Sequence, residues 1–268
     1  MDFADQVVLV TGASAGIGEA IAELLAGRGA RLALSGRNQD NLKKVGEKCR
    51  ALRGSDVLEI VADLATDEGV EKTAKDTIDH FGRLDVLINN AGVGARTCLL
   101  HDPDMSAFDR VFRTNVRAVY QLTRLLAPRL VETRGNIVNI SSVSGSMPSV
   151  GSLPYSMTKA ALDQFTRCIA LELAPLGVRV NAISPGITRS TFVQRLTDYT
   201  PEQYAAWLAE AGRGVPLGRA AEAREVAALV AAAAARGASS LTGAVIPVDG
   251  GLSLAGAGRS DIMTRQMK

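Results

Sequence analysis

Histidine is almost absent: His80 and His101 are the only two in 268 residues. A histidine-rich zinc site or a histidine general base would rest on one of two unsupported residues, so no metal site is expected. His80, in Ile78-Asp79-His80-Phe81-Gly82, reads as the C-terminal residue of a helix, and His101 as a solvated loop residue near the mouth of a cleft. The three cysteines, Cys49, Cys98 and Cys168, lie far apart without a CxxC pair. That excludes a disulfide framework and predicts reduced thiols in a cytoplasmic setting. Excess charge of one sign is lacking too. The formal net charge is +2 with basic residues dispersed, which leaves no nucleic-acid groove and no patch for an anionic membrane. No apolar run is long enough to span a bilayer, and the most membrane-like stretch, Val226 to Ala235, reads as a closely packed alanine helix. The first residues, Met1-Asp2-Phe3-Ala4-Asp5-Gln6, carry neither a basic start nor an apolar stretch, so no targeting segment is expected.

What is present is a chain 47% hydrophobic, enough to bury a large core as one domain over 1–268. Short apolar runs at 7–10, 31–35, 57–62, 84–89, 136–141, 178–183 and 244–248 alternate with long helical patterns. This predicts seven strands joined by crossovers, a parallel sheet covered on both faces, hence a doubly wound three-layer α/β sandwich. Ligands on such sheets lie beyond the carboxyl ends of the strands, where Gly12, Asp63, Asn90, Ser142 and Pro185 fall. No repeat or linker is evident. Only 186–218 resists assignment, and the small-residue tail 252–268, which has no peroxisomal ending, is expected to be mobile.

Two segments suggest chemistry. Thr11-Gly12-Ala13-Ser14-Ala15-Gly16-Ile17-Gly18 follows the run Val7 to Val10 and precedes a helical pattern, giving strand, glycine turn and helix. Without β-carbons the glycines permit a tight turn and close approach of a pyrophosphate, which the free N–H groups and dipole of the helix start would attract. A plain βα connection can look the same. Further on, Tyr155 and Lys159 stand one helical turn apart in Tyr155-Ser156-Met157-Thr158-Lys159. A lysine charge beside a phenol would favour its deprotonated form and let it exchange a proton nearer neutrality, although this spacing is common on ordinary amphipathic helices.

Taken together, TGASAGIG, Asn89-Asn90-Ala91-Gly92 after Leu84 to Ile88, and YSMTK resemble the short-chain dehydrogenase/reductase family. The likeness runs from Val7 to Gly251 and takes in Thr114-Asn115-Val116, Asn139-Ile140-Ser141-Ser142 and Pro185-Gly186. It implies a Rossmann-like fold and a four-residue site of Asn115, Ser142, Tyr155 and Lys159. Reducing a carbonyl by hydride builds negative charge on oxygen, which needs a proton donor and a hydrogen-bond partner. Tyr155 would donate the proton, Ser142 would orient the carbonyl, and Lys159 would depress the tyrosine pKa. By family analogy Lys159 also holds ribose hydroxyls, and Asn115 lies in a distorted helix turn whose backbone holds a relay water. Ser142, thirteen residues before Tyr155, is preferred to Ser141.

The resemblance further implies dinucleotide contacts from Gly12, Ser14, Gly16, Ile17 and Gly18. Asp63 and Leu64 would lie at the adenine, Asn90, Ala91 and Gly92 along the adenosine, and Pro185, Gly186, Ile187 and Thr188 by the nicotinamide. An NAD site places a carboxylate at the end of the second strand, where Leu32-Ala33-Leu34-Ser35-Gly36-Arg37 has a glycine. Arg37 could grip a 2′-phosphate, so NADP is favoured over NAD, with Asp40 a first-turn helix acid. The cleft is expected to be completed by Gly94 to Cys98, Gly145 to Val150 and a lid from Ile187 through Trp207 that carries Phe192, Tyr199, Tyr204 and Trp207. Those aromatics suit either an apolar substrate or a core, while Arg96, Arg189 and Arg195 could instead meet an acidic carrier arm. Three readings follow: an NADPH-dependent reductase of 3-oxoacyl, ketosteroid or xenobiotic carbonyls, an alcohol or hydroxysteroid dehydrogenase working oxidatively, and a non-catalytic nucleotide-responsive binding protein. Family members commonly form tetramers through helices corresponding to 106–130 and 153–176, plus the last helix and strand, so a homotetramer is expected.

Overall fold

The computed structural model describes residues 3–97, 99–100, 102 and 104–255. Cys98, His101 and tail residues 256–268 lie outside the described residues, and with them the expectations placed there.

The first strand, β1 (Val7–Thr11), is buried at every position. Its valines and leucine serve both faces of the sheet by alternation. Val8 and Val10 join one apolar cluster and Val7 and Leu9 the other. With β2 (Arg31–Gly36), β3 (Val57–Val61), β4 (Val86–Asn89), β5 (Asn136–Ile140), β6 (Arg179–Pro185) and β7 (Val245–Val248) it forms a seven-stranded sheet in the order β3-β2-β1-β4-β5-β6-β7. Every neighbouring pair is parallel. On one face the sheet meets α1 (Gly16–Gly27), α2 (Gln39–Ala51) and α9 (Ala223–Ala234), through Ile21 and Leu25, Leu42 and Val45, and Val226 and Val230. On the other it meets α3 (Asp67–Phe81), α5 (Ala118–Thr133) and α6 (Leu153–Leu173), through Val70, Leu122, Leu126 and Ala170. This is the expected doubly wound Rossmann-like sandwich.

Strand order reverses at β1, since the chain builds outward to β3 and returns to the opposite side at β4. The carboxyl ends of β1 and β4 therefore open a crevice. The alanine-rich stretch from Val226 lies in α9 and packs in the core. Among the described residues no helix is long and apolar enough to cross a membrane. β4 begins later than its apolar run because the Asp85 carboxylate accepts from the Val7 backbone N–H at 2.9 Å and pairs with Arg83 at 2.7 Å.

The stretch that resisted assignment is built of short pieces. Thr188–Arg189 pairs with Ala221–Glu222 in a two-stranded ribbon, α7 (Thr191–Gln194) is a single turn, and α8 (Pro201–Arg213) is a full helix. The start of α8 carried a legible signal in Thr200-Pro201-Glu202-Gln203. Thr200 accepts from the Gln203 N–H while the Gln203 side chain accepts from the Thr200 N–H, with proline in the first turn.

Candidate active site

The turn between β1 and α1 needs glycine at two places, because Gly12 and Gly16 hold φ of +65° and +63°. Ala15, which precedes α1, offers no side chain to its first N–H groups. Those donors and the positive end of the helix dipole therefore face the crevice unmatched. The turn is fastened from β4. Thr11 Oγ1 accepts from the N–H groups of Asn90 and Ala91, both at 3.0 Å, while the Asn90 amide donates to the Thr11 carbonyl at 2.8 Å and the Gly12 carbonyl at 3.2 Å. The Asn90 side chain is thus committed to bracing the turn, with Thr11 as the partner that sequence reasoning missed.

Asn115 sits in a π-helical turn, Arg113–Arg117, inserted between α4 (Ser106–Phe112) and α5. Its side chain is fully used: Oδ1 accepts from Val93 N–H at 2.9 Å, and Nδ2 donates to the Val93 carbonyl at 2.8 Å and to Thr158 Oγ1 at 3.1 Å. It clamps the loop after β4 to α6 and leaves only the π turn's widened backbone for other partners.

Tyr155 and Lys159 lie in the first two turns of α6. The Lys159 ammonium is 5.6 Å from the Tyr155 ring centre and donates to the Ile140 carbonyl at 2.7 Å. Burial pulls the Lys159 pKa down to about 8, with the Asp163 charge opposing it. Burial pushes the Tyr155 phenol up to about 12, and a hydrogen bond to Ser142 offsets only part of this. The expected depression of the tyrosine by Lys159 is therefore corrected: in this geometry desolvation dominates, and the ammonium faces Ile140. Ser142 also caps a 3-10 turn, accepting from the Ser144 N–H at 3.2 Å, whereas Ser141 is buried and donates to the Lys159 carbonyl at 3.3 Å. Asp163, one turn beyond Lys159, is buried with its Oδ1 lacking a hydrogen-bond partner, and burial raises its carboxyl.

These parts line one cavity of about 440 Å³, whose lining takes in Gly36 and Arg37 as well as Trp207. Among the expected site residues, Gly18 and Asn115 stand behind its wall, and the others line it. Sequence reasoning missed Asn38 on the same wall, while Ser190 and Thr191 line it within the expected segment from Ile187 through Trp207. Gly36 suits its place, since a Cβ there would meet Ser14 at 3.2 Å. Arg37 is exposed on the cavity rim, and Asp40 lies in the first turn of α2. Asp63 both lines the cavity and holds its own turn, accepting from the Ala65 N–H at 3.0 Å. Of the three arginines considered for an acidic substrate, Arg189 is paired with Glu222 at 3.0 Å, while Arg96 and Arg195 line the cavity. Phe192, Tyr199 and Trp207 line it too. Tyr204 instead turns inward, its hydroxyl donating to the Ser190 carbonyl at 2.8 Å and accepting from the Ser190 N–H at 3.1 Å. Among the described residues no cluster of histidine, cysteine or acidic side chains could hold a metal.

A family model described as short chain dehydrogenase matches residues 6–200. The 3-oxoacyl-(acyl-carrier-protein) reductase FabG of Pseudomonas aeruginosa is 35% identical over 253 residues, covering 94% of this chain and 99% of that protein. L-fucose dehydrogenase of Oryctolagus cuniculus is 35% identical over 252 residues, covering 94% of this chain and 86% of that one. The solved structure of L-sorbose reductase from Gluconobacter frateurii, complexed with NADPH and L-sorbose, superimposes with a TM-score of 0.88 at 30% identity and covers 94% of this chain and 99% of that chain.

Proposed function

The chain belongs to the short-chain dehydrogenase/reductase family, oxidoreductases acting on CH–OH and C=O groups, and from that premise we propose that it is an NADPH-dependent carbonyl reductase with Tyr155 as general acid. The single observation that carries the acid assignment is Tyr155 beside Ser142 on the wall of the cleft, one turn from a buried Lys159. The dinucleotide would be held by the uncapped start of α1, by Gly12 to Ile17 and by the loop from Pro185 to Thr188, with Gly18 supporting the turn from behind. Once bound, the nicotinamide supplies the hydride. Everything else is done by side chains. Ser142 hydrogen-bonds the substrate carbonyl and aims it at the phenol. With its pKa near 12, Tyr155 keeps its proton at neutral pH. It still transfers that proton downhill, because an alkoxide is about as basic as hydroxide, whose conjugate acid has a pKa of about 15.7. Lys159, charged at neutral pH with a pKa of about 8, places a fixed positive charge where the oxyanion develops. Asn115 positions this machinery through Val93 and Thr158.

NADPH is favoured because Gly36 brings no carboxylate to the ribose and Arg37 supplies a cation beside it. The substrate class is a 3-oxoacyl thioester, the substrate named for the FabG relative, or a ketosteroid or other apolar carbonyl, with the apolar walls Phe192 and Trp207 as support. L-fucose dehydrogenase among the relatives favours an oxidative second reading, in which Tyr155 and Lys159 act as base on an alcohol. One catalytic domain in a cytoplasmic setting is part of the same reading. So is a homotetramer, supported by exposed apolar side chains on α5 and α6: Tyr120, Leu153, Met157 and Leu171. Tyr155→Phe tests the acid. Turnover should vanish while the NADPH dissociation constant stays within about threefold, and near-native turnover would remove Tyr155 from the mechanism.

A further inference from the structure

We propose that Arg195 is the second arm of the 2′-phosphate site, facing Arg37 across the cleft, so that the phosphate of NADPH holds the 191–196 segment down over the substrate end. This rests on the NADPH reading above.

The segment has two working faces set by helical spacing. Phe192 and Leu196 lie one turn apart and press on the substrate side, where a Cβ on Gly94 would stand 2.9 Å from both Phe192 Cζ and Leu196 Cδ1. The Phe192 ring lies 5.3 Å from the Tyr155 ring, centre to centre. Thr191 and Arg195 share the neighbouring face. Thr191 N and Ser190 Cβ lie 3.8 and 3.4 Å from where a Cβ on Gly16 would be, so this face covers the dinucleotide turn. The turn leads through Ser14 to Gly36 and Arg37. One short segment therefore rests on the catalytic tyrosine and on the cofactor cradle together.

Charge points the same way. Neither Arg37 nor Arg195 forms an ion pair or side-chain hydrogen bond among the described residues, and both line the cavity. Arg195 is itself exposed on the cavity wall, and partial desolvation, with the Arg37 charge adding to it, disfavours its charged form. An arginine does not shed its proton to relieve such a clash, so a bound dianion is the remedy. A phosphate gripped by two guanidinium groups from opposite lips gains charge-assisted hydrogen bonds and ties the lips together.

The test is binding without turnover. NADPH, NADH, 2′,5′-ADP and 3′,5′-ADP are titrated calorimetrically into the native protein and into Arg37→Ala, Arg195→Ala and Arg195→Lys; 3′,5′-ADP carries the adenosine phosphates of a coenzyme A thioester. Arg195→Ala should weaken NADPH and 2′,5′-ADP at least tenfold, leave NADH within twofold, and be partly rescued by lysine. Trp207, the one tryptophan in the chain, lines the cavity and stacks on Tyr204, which bonds Ser190. Its fluorescence should respond to 2′,5′-ADP in the native protein and lose that response in Arg195→Ala. Equal losses for NADPH and NADH, or a loss confined to 3′,5′-ADP, would overturn the proposal, the latter giving Arg195 to a coenzyme A thioester substrate. If Arg37→Ala also leaves the NADPH-to-NADH ratio unchanged, the NADPH reading itself falls; if only Arg195→Ala does, that reading stands and this inference fails.

Discussion

Gly18→Ala should damage the protein although it places the best helix former inside a helix. Gly18 lies in the first turn of α1, and a Cβ there would stand 2.3 Å from the Gly12 carbonyl oxygen, against a limit of 3.0 Å that real Cβ contacts do not cross. The shortfall, 3.0 − 2.3 = 0.7 Å, falls on backbone, which cannot swing aside as a side chain would. Either α1 lifts from the turn or the turn opens, and the brace from Asn90 to the Gly12 carbonyl at 3.2 Å is pulled with it. Overpacking of this kind costs about 1–3 kcal/mol, against a propensity gain of about 1 kcal/mol for alanine over glycine. Gly27 is the control at the other end of the same helix, since nothing lies within 4 Å of its Cβ position. Gly27→Ala should therefore stabilise by up to about 1 kcal/mol, roughly 2–4 °C in Tm, while Gly18→Ala loses stability and weakens NADPH by tenfold or more. Thermal unfolding of the two variants beside the native protein, with NADPH titrations, decides it. A Gly18→Ala protein that melts with Gly27→Ala and binds NADPH normally would refute the reasoning.

Other expectations follow from single sites. The pH profile of kcat/KM for the cofactor reports groups of the free enzyme, so it should bend downward near 8 as Lys159 loses its proton, with no limb from Tyr155 below about 12; an activity flat to pH 10 would contradict the burial of Lys159. Glu225 accepts from the Glu222 N–H at 2.7 Å and pairs with Arg219, which holds its pKa down to about 2. Because the folded pKa lies below the usual 4.5, its contribution is complete above that value and is lost as pH falls toward 2. Glu225→Gln should remove that part of the acid dependence in chemical unfolding, an unchanged acid limb counting against the pairing. Asn115→Ala frees Val93 and Thr158 together, and should lower kcat more than it weakens NADPH, as steady-state kinetics beside calorimetry would reveal. Light scattering after size exclusion should give a tetramer and, for Tyr120→Glu with Leu171→Glu, a smaller species; a native monomer would reject the assembly.

Much of this was legible because the features are local. Val7 to Val10 is apolar at every position because the strand is covered on both faces, and short apolar runs exposed the other six strands too, although β3 carries Glu59 and β7 is only partly buried. The glycine turn and the Tyr155–Lys159 spacing are fixed by neighbours in sequence. What stayed hidden depends on distant partners. Thr11 looks like the end of a strand until β4 brings Asn90 and Ala91 to its hydroxyl. Tyr204 looks like a lid aromatic until its hydroxyl is found on Ser190. The distorted turn at Asn115, found as a π turn, was legible through the family resemblance and leaves no trace in hydrophobic spacing. The Tyr155 pKa was misjudged because charge proximity can be read from spacing, whereas desolvation depends on everything folded around the phenol. The 191–196 segment is too short to show a period, so its two faces emerge only once Gly16 and Gly94 are seen beneath it.

The most direct measurement is the oxidation of NADPH and NADH, followed side by side with the purified native protein and Tyr155→Phe. The carbonyl panel would hold an acetoacetyl thioester, several ketosteroids and simple aromatic diketones. The account expects turnover that prefers NADPH and disappears in the variant. NADPH bound tightly but consumed with no carbonyl, or consumed equally well by Tyr155→Phe, would contradict it.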